Sequence, residues 1–427
     1  MLYDNFVNSV NIQCSFLLLH LPMPSKKATH QQTKQRNRDL VLKHIFDHET
    51  ISRAEVARIT KLTRTTVSEI VASLLEEGLV KEIGFGSSIG GKAPILLSLL
   101  PDSRYLIGLN LAQDKFIGSI VNLRGEIKEK IECTVNKRDG EKALQLVYQI
   151  LDQLLQKGWT PLMGIGIGTP GLVNTQEGVV INAVNLDWQD LPLAHLVESR
   201  YHLPVSILND SQATAIGEYV YGEDHQSDTN LIVITVKHGI GSGILINGQL
   251  FQGDGGGAGE IGHIVVQENG ALCRCGNYGC LETIASATAV VQRARILAGQ
   301  YPNSGLAENP HALSLTSIEA GWKNNDPLAV RVVSDAARFL GISIAGLVGV
   351  LNIQKIILTG DMGGFGERWL QAIRDAMAQV ALTRMARNTK LEIGKLDYRA
   401  CILGASAYML LDNYSLLFQT TTVGLDQ

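Results

Sequence analysis

Three of the six cysteines in this 427-residue chain, Cys273, Cys275 and Cys280, fall within eight positions, with His263 ten residues upstream and Glu260 and Glu282 at the ends of the stretch. Thiolate and imidazole are the ligands zinc prefers, and four such groups close a tetrahedral structural site. The C-x-C-x4-C spacing differs from that of zinc fingers, so clustering and ligand type carry the inference. Three buried free cysteines in an apolar loop are the alternative, and Arg274, Asn277 and the glycines make the loop polar instead. A disulfide would leave one thiol over, and nothing else in the chain suggests an oxidising compartment. The expected cofactor is a structural Zn2+ held by His263, Cys273, Cys275 and Cys280, which would fix Glu260 and Glu282 rigidly beside it.

The length exceeds what one compact core serves, so two or three domains are expected. Charge separates them. Pro24 to Leu100 carries twelve Lys/Arg against eight Asp/Glu, a net of +4, whereas Pro101 to Gln427 has twenty-five against thirty-two, a net of −7. A small basic module joined to a large acidic one implies that only the first meets nucleic acid. The opening segment holds an apolar patch, Phe16–Leu19, with no Lys or Arg before it and too short to span a bilayer. Residues 1–34 are expected to form a disordered leader, with Met23, just ahead of Ser25-Lys26-Lys27, as the true start. No other run approaches about 20 apolar residues, so the expected location is cytoplasmic.

Residues 35–100 read as one module. Leu40, Val41, His44 and Ile45 give a buried stripe to a helix over Arg38–Asp47. Ser52 to Glu55 is a capping-box start, with Val56, Ala57 and Ile59 facing inward. After the turn at Lys61-Leu62, Thr63 caps a third helix whose apolar face is Val67, Ile70, Val71, Leu74 and Leu75. Strands over Leu79–Ile83 and Ile95–Leu99 flank a Gly/Ser tip, followed by Lys92. This is a winged helix-turn-helix arrangement, in which the second helix of the pair enters the major groove. Arg64, Thr65, Thr66 and Ser68 would face bases and phosphates, with Arg58, Lys61 and Lys92 near the backbone. A dimerisation module with merely solvated charges is the alternative, disfavoured by the wing and the basic bias.

Residues 101–427 change texture. Strands are expected over Tyr105–Leu111, Lys115–Val121, Ile127–Val135, Met163–Gly168 and Val205–Asn209, with helices over Glu141–Gln156 and Gln212–Tyr221. A second set follows: Leu231–Val236 and Gly241–Ile246 with an Asn247-Gly248 hairpin turn, then Lys355–Thr359. Helices are expected over Glu282–Ala298, Leu313–Trp322, Leu328–Leu351, Gly366–Val380 and Gly404–Leu411. Two α/β lobes place a ligand cleft between them. Asn209 and Asp210, at the carboxyl end of a strand, project into it, although Asp210 could instead cap the helix that follows. Carboxylates and an amide suit vicinal sugar hydroxyls, since each oxygen accepts from a separate OH.

These residues resemble the ROK family of repressors, open reading frames and sugar kinases, over essentially Gln35 to Leu411. The most specific match is Glu260-Ile261-Gly262-His263 followed by Cys273-Arg274-Cys275-Gly276-Asn277-Tyr278-Gly279-Cys280-Leu281-Glu282. The resemblance implies an actin-like, two-lobed fold, zinc on the four named ligands, and a sugar held by Asn209, Asp210, Glu260, His263 and Glu282. In family kinases the aspartate matching Asp210 takes the proton from the sugar hydroxyl. Asn185-Leu186-Asp187-Trp188 resembles the family's sugar-side loop.

Departures from the kinase pattern bear on activity. Where family kinases carry an aspartate, a glycine pair and a threonine around ATP phosphates, this chain has Asn110-Leu111-Ala112-Gln113-Asp114-Lys115. The family's glycine-threonine-glycine is matched by Gly239-Ile240-Gly241, without the hydroxyl. A glycine-rich turn persists at Gly360-Asp361-Met362-Gly363-Gly364. With the phosphate cradle lost, the expectation is a DNA-binding regulator without catalytic activity, similar to the family's xylose and N-acetylglucosamine repressors. It would bind operator DNA as a homo-oligomer, dimer or tetramer, and respond to a sugar effector. An ATP-dependent sugar kinase with a DNA-binding appendage, and a regulator that senses a transporter protein partner, are the rival expectations.

Overall fold

The computed structural model describes residues 29–87, 93–222, 229–411 and 417. Lys92, the second half of the wing tip (residues 88–91), and residues 1–28, Met23 among them, lie outside the described residues.

The amino-terminal module contains α1 (His30–Asp47), β1 (Ile51–Ser52), α2 (Arg53–Thr60), α3 (Arg64–Glu76), β2 (Val80–Phe85) and β3 (Ile95–Leu99). Helix α1 starts at His30, ahead of the expected boundary at 35, because Thr29 and Gln32 form a reciprocal capping box. Its first turns are polar and exposed, so no apolar stripe marks them. The buried stripe is Val41, Leu42, Ile45 and Phe46, with Leu40 and His44 only half-buried. Ser52 caps α2 through the Glu55 amide and Thr63 caps α3 through the Thr66 amide. Lys61 joins the two helices in the left-handed region at φ 60°. Strand β3 pairs with both β1 and β2.

The first lobe is a five-stranded sheet of order β11-β7-β4-β5-β6, formed by β4 (Tyr105–Leu111), β5 (Lys115–Asn122), β6 (Ile127–Thr134), β7 (Leu162–Thr169) and β11 (Val205–Asn209). A small sheet of β8 (Leu172–Asn174), β9 (Val179–Ala183) and β10 (Trp188–Leu191) overhangs it. The second lobe has order β14-β13-β12-β15-β16, from β12 (Leu231–Val236), β13 (Ile240–Ile246), β14 (Gln249–Phe251), β15 (Lys355–Thr359) and β16 (Lys390–Ile393). In each lobe the central strands run parallel and end toward the other lobe, where ligand crevices form in α/β sheets.

Two helices join the lobes: Asp210–Tyr221, here the cleft helix, and Arg399–Leu411, the closing helix. They cross at backbone contact. A Cβ on Gly404 would lie 1.7 Å from the Ala213 carbonyl, and one on Gly217 would lie 2.0 Å from that of Ala400. Any larger residue at either glycine would push the helices apart. The closing helix begins at Arg399, five residues before its expected start.

The helix expected over Glu282–Ala298 is two helices, Glu282–Ala285 and Ala287–Leu297, because Ser286 leaves helical geometry and caps the second through the Ala289 amide. Pro327–Leu351 is the described helix long and apolar enough to cross a bilayer. It instead packs Val332, Val333, Ala336, Leu340 and Ile344 into the second-lobe core. The amino-terminal module shares its apolar core with Leu106, Leu123, Met163, Met409 and Leu410 of the lobed region. It is docked on the first lobe.

Candidate functional site

Strand β11 delivers Asn209 and Asp210 to the mouth between the lobes. Asn209 is the cap: its Oδ1 accepts from the Ser211 and Gln212 amides at 2.9 and 3.3 Å, and its Nδ2 donates to the Gly171 carbonyl at 2.9 Å. The capping role open to Asp210 is therefore filled, which releases its carboxylate toward the cleft. Desolvation pushes the Asp210 carboxyl above its ordinary pKa, and the nearby Lys237 ammonium opposes that shift.

A cavity of about 530 Å³ lies between the lobes, and Asn209, Asp210, Glu260, His263 and Glu282 all line it. They are not equally free. Glu282 is buried, with Oε2 accepting from the Ile240 amide at 3.0 Å and Oε1 from Arg274 at 2.8 Å. The Glu260 carboxyl is pushed up by desolvation, and by the negative charges of Asp210 and Glu282, while His263 pulls it down. Asp210, whose Oδ1 accepts only a long bond from Ser211 Oγ at 3.4 Å, and Glu260 are thus the acids with the most oxygen capacity left for a ligand.

The four expected metal ligands converge, with one donor atom of each lying within 4.8 Å of the others. His263 Nδ1 is 3.5 Å from Cys273 Sγ, and Cys275 Sγ is 3.6 Å from Cys280 Sγ. Bonds of about 2.3 Å to sulfur put neighbouring ligand atoms of a tetrahedron roughly 3.8 Å apart, so the set fits one ion with no open position. The other ring nitrogen, Nε2, faces Glu260 Oε2 at 3.8 Å. A carboxylate behind a ligating histidine orients the ring, so one imidazole would connect the metal loop to the cleft.

In the amino-terminal module, Arg64, Thr65 and Ser68 are exposed on the first turns of α3. Thr66 is half-buried, its hydroxyl 2.8 Å from that of Thr63, so it is largely occupied in the cap. Lys61 is exposed at the turn, and exposed Arg58 pairs with Glu55 at 3.3 Å, a surface contact that DNA phosphates can outcompete.

Two cleft residues escaped the sequence reading. Lys237 follows the last residue of β12 and lines the cavity beside Gln113 and His238. Arg274, inside the cysteine loop, donates to Glu282 and, across the cleft, to Asn185 Oδ1. Asn185 belongs to the loop singled out as sugar-facing. An arginine between two cysteines was legible only as a source of loop polarity.

Comparison with known proteins agrees with both halves. The ROK family profile matches residues 106–411 and a winged helix-turn-helix DNA-binding profile matches residues 37–81. A xylose repressor from Caldicellulosiruptor bescii is 34% identical over 393 residues, covering 90% of this chain and 98% of that protein. A crystal structure of a ROK family transcriptional regulator homologous to the E. coli MLC protein superposes with a TM-score of 0.78 at 26% identity, covering 91% of this chain and all (100%) of that one. The ROK glucokinase of Streptomyces griseus, in complex with glucose and AMPPNP, superposes with a TM-score of 0.65 at 29% identity, covering 71% of this chain and 98% of its own. A lobed region shared with kinases and repressors, joined to a DNA-binding winged helix, assigns this chain to the ROK family as one of its transcriptional regulators.

Proposed function

We propose that this protein is a cytoplasmic, sugar-responsive repressor: it binds operator DNA as a homo-oligomer through α3, and a sugar in the interlobe cavity weakens that binding. The observation that carries the sugar reading is the pair of less engaged carboxylates, Asp210 and Glu260, facing one cavity while Asn209 and Glu282 are tied into the scaffold. Vicinal hydroxyls donate to such oxygens. Asn209 and Glu282 act chiefly by holding Asp210 and the Ile240 turn in place. His263 orients Glu260, and a zinc ion on His263, Cys273, Cys275 and Cys280 would supply the rigidity of that loop. Support also comes from relatives, a xylose repressor and a glucokinase bound to glucose.

Asp210 also sits where a kinase base would, which favours residual phosphoryl transfer as the second reading. Against it, Ala112 and Gln113 line the cavity where the family's phosphate turn has glycines. The ligand acts only through a difference in affinity between lobe arrangements. A thermal-shift panel of xylose, glucose and N-acetylglucosamine, paired with coupled ADP release, separates the readings. A sugar that raises the melting temperature without ADP release is expected. Steady ADP production with that sugar would overturn the regulator-only reading.

Arg64, Thr65 and Ser68 would contact the operator, with Arg58, Lys61 and Lys92 on phosphates. Arg64→Ala is expected to weaken operator binding by about 1–3 kcal/mol, read by fluorescence anisotropy, without altering the melting temperature. Unchanged affinity would remove α3 from the DNA contact.

A further inference from the structure

The β5–β6 turn joins three parts of the molecule. Arg124, in that turn, donates Nη1 to the Phe46 carbonyl at 2.6 Å and Nη2 to the His48 carbonyl at 2.8 Å. Its guanidinium also lies 5.8 Å from the centre of the Phe46 ring. Those carbonyls are at the carboxyl end of α1, where backbone acceptors lack helical partners and a cation is favoured. The planar fork reaches two acceptors at once, which an ammonium cannot do in the same geometry. Burial works against its charge, and Tyr221, Glu49 and Asp47 beside it oppose that loss.

The next residue touches the cleft machinery. A Cβ on Gly125 would fall 2.7 Å from the Tyr221 ring, so backbone and ring are already in contact. Tyr221 is the last residue of the cleft helix, and Asp210 is the first. Twelve residues of helix make a rod of about 18 Å. Its backbone contacts with the closing helix, at Ala213 with Gly404 and at Gly217 with Ala400, resist bending. Second-lobe strand β13 leans on the same rod, since a Cβ on Gly243 would lie 2.4 Å from that of Ala215.

We infer that Arg124 is the positioning residue that ties the orientation of the DNA-binding module to the state of the cleft. A shift of the cleft helix on ligand binding moves Tyr221 against Gly125, and Arg124 carries the movement to the end of α1. This inference rests on the proposed control of DNA binding by a cleft ligand.

The test compares wild type, Arg124→Ala and Arg124→Lys in the full-length protein, measuring operator affinity with and without the sugar found in the thermal panel. Wild type is expected to show an operator affinity ratio of about tenfold, and Arg124→Ala about twofold or less, with sugar affinity and melting shift retained; Arg124→Lys regains part of the ratio. A purely structural role would lower operator affinity in both states and leave the ratio intact. A wild-type ratio in Arg124→Ala overturns the inference. A second arm needs no sugar: hydrogen exchange of residues 44–49 in ligand-free protein. Faster exchange in Arg124→Ala upholds the tie between Arg124 and α1, and unchanged exchange overturns it even if the sugar reading itself fails.

Discussion

Cys280→Ser is expected to empty the metal site and collapse the cleft rim together. Cys280 is fully buried, its sulfur 3.6 Å from Cys275 and 3.5 Å from the His263 carbonyl, and its backbone bridges Val265. The loop from Ile264 to Cys280 contains no described helix or strand beyond isolated bridges, and its shape rests on the four ligands together with a few backbone hydrogen bonds such as Cys273 to Asn277 and Val266 to Gly279. A three-ligand remnant would hold zinc far more weakly, and metal content should fall from about one ion per chain to near zero. The melting transition should weaken by more than about 3 kcal/mol. Sugar protection should vanish as well, since the His263 ring that the metal fixes faces Glu260 at 3.8 Å, and Glu282 follows Cys280 by two residues. Metal analysis with thermal melts, with and without chelator, gives the answer. A metal-free variant that melts and binds sugar like wild type would remove the ion from any structural role.

Asp210→Asn is expected to separate ligand binding from stability. The helix cap belongs to Asn209, so the substitution leaves the cap intact. Because desolvation raises the Asp210 pKa in the folded state, its charge costs stability at every pH above the unfolded value. Removing that charge should leave the melting temperature at neutral pH unchanged or higher, and this gain should fade as pH falls and the wild-type carboxyl is protonated. Sugar affinity should nevertheless drop by about 100-fold, the worth of a charged hydrogen-bond acceptor in a cleft. Calorimetric titration and pH-resolved melts test both halves. A variant that binds sugar normally would move the recognition elsewhere in the cavity.

Much of this was legible from local pattern. The first-lobe sheet, three of the five second-lobe strands, the helices of the amino-terminal module and the convergence of His263 with the three cysteines all follow from periodicity, caps or ligand chemistry. The chain was less readable where contacts are long-range. Whether Asn209 or Asp210 capped the cleft helix depended on the side-chain rotation that brings Asn209 to Gly171. Glu282 reads as an open acid until Arg274 and the Ile240 amide are seen to occupy it. Strands β8 to β10, β14 and β16 and the helix Leu193–Tyr201 are short and carry little periodic signal. Arg124 and Tyr221 lie far apart in sequence, and only the docking of the DNA-binding module on the first lobe makes the arginine more than a turn residue.

The most direct measurement is operator affinity of one zinc-loaded preparation, titrated with the sugar that protects it from melting. Sugar should weaken operator binding by the wild type, while Asp210→Asn should bind operator equally well with and without it. Operator affinity unmoved by a sugar that demonstrably occupies the cavity would contradict the claim that the cleft governs DNA binding.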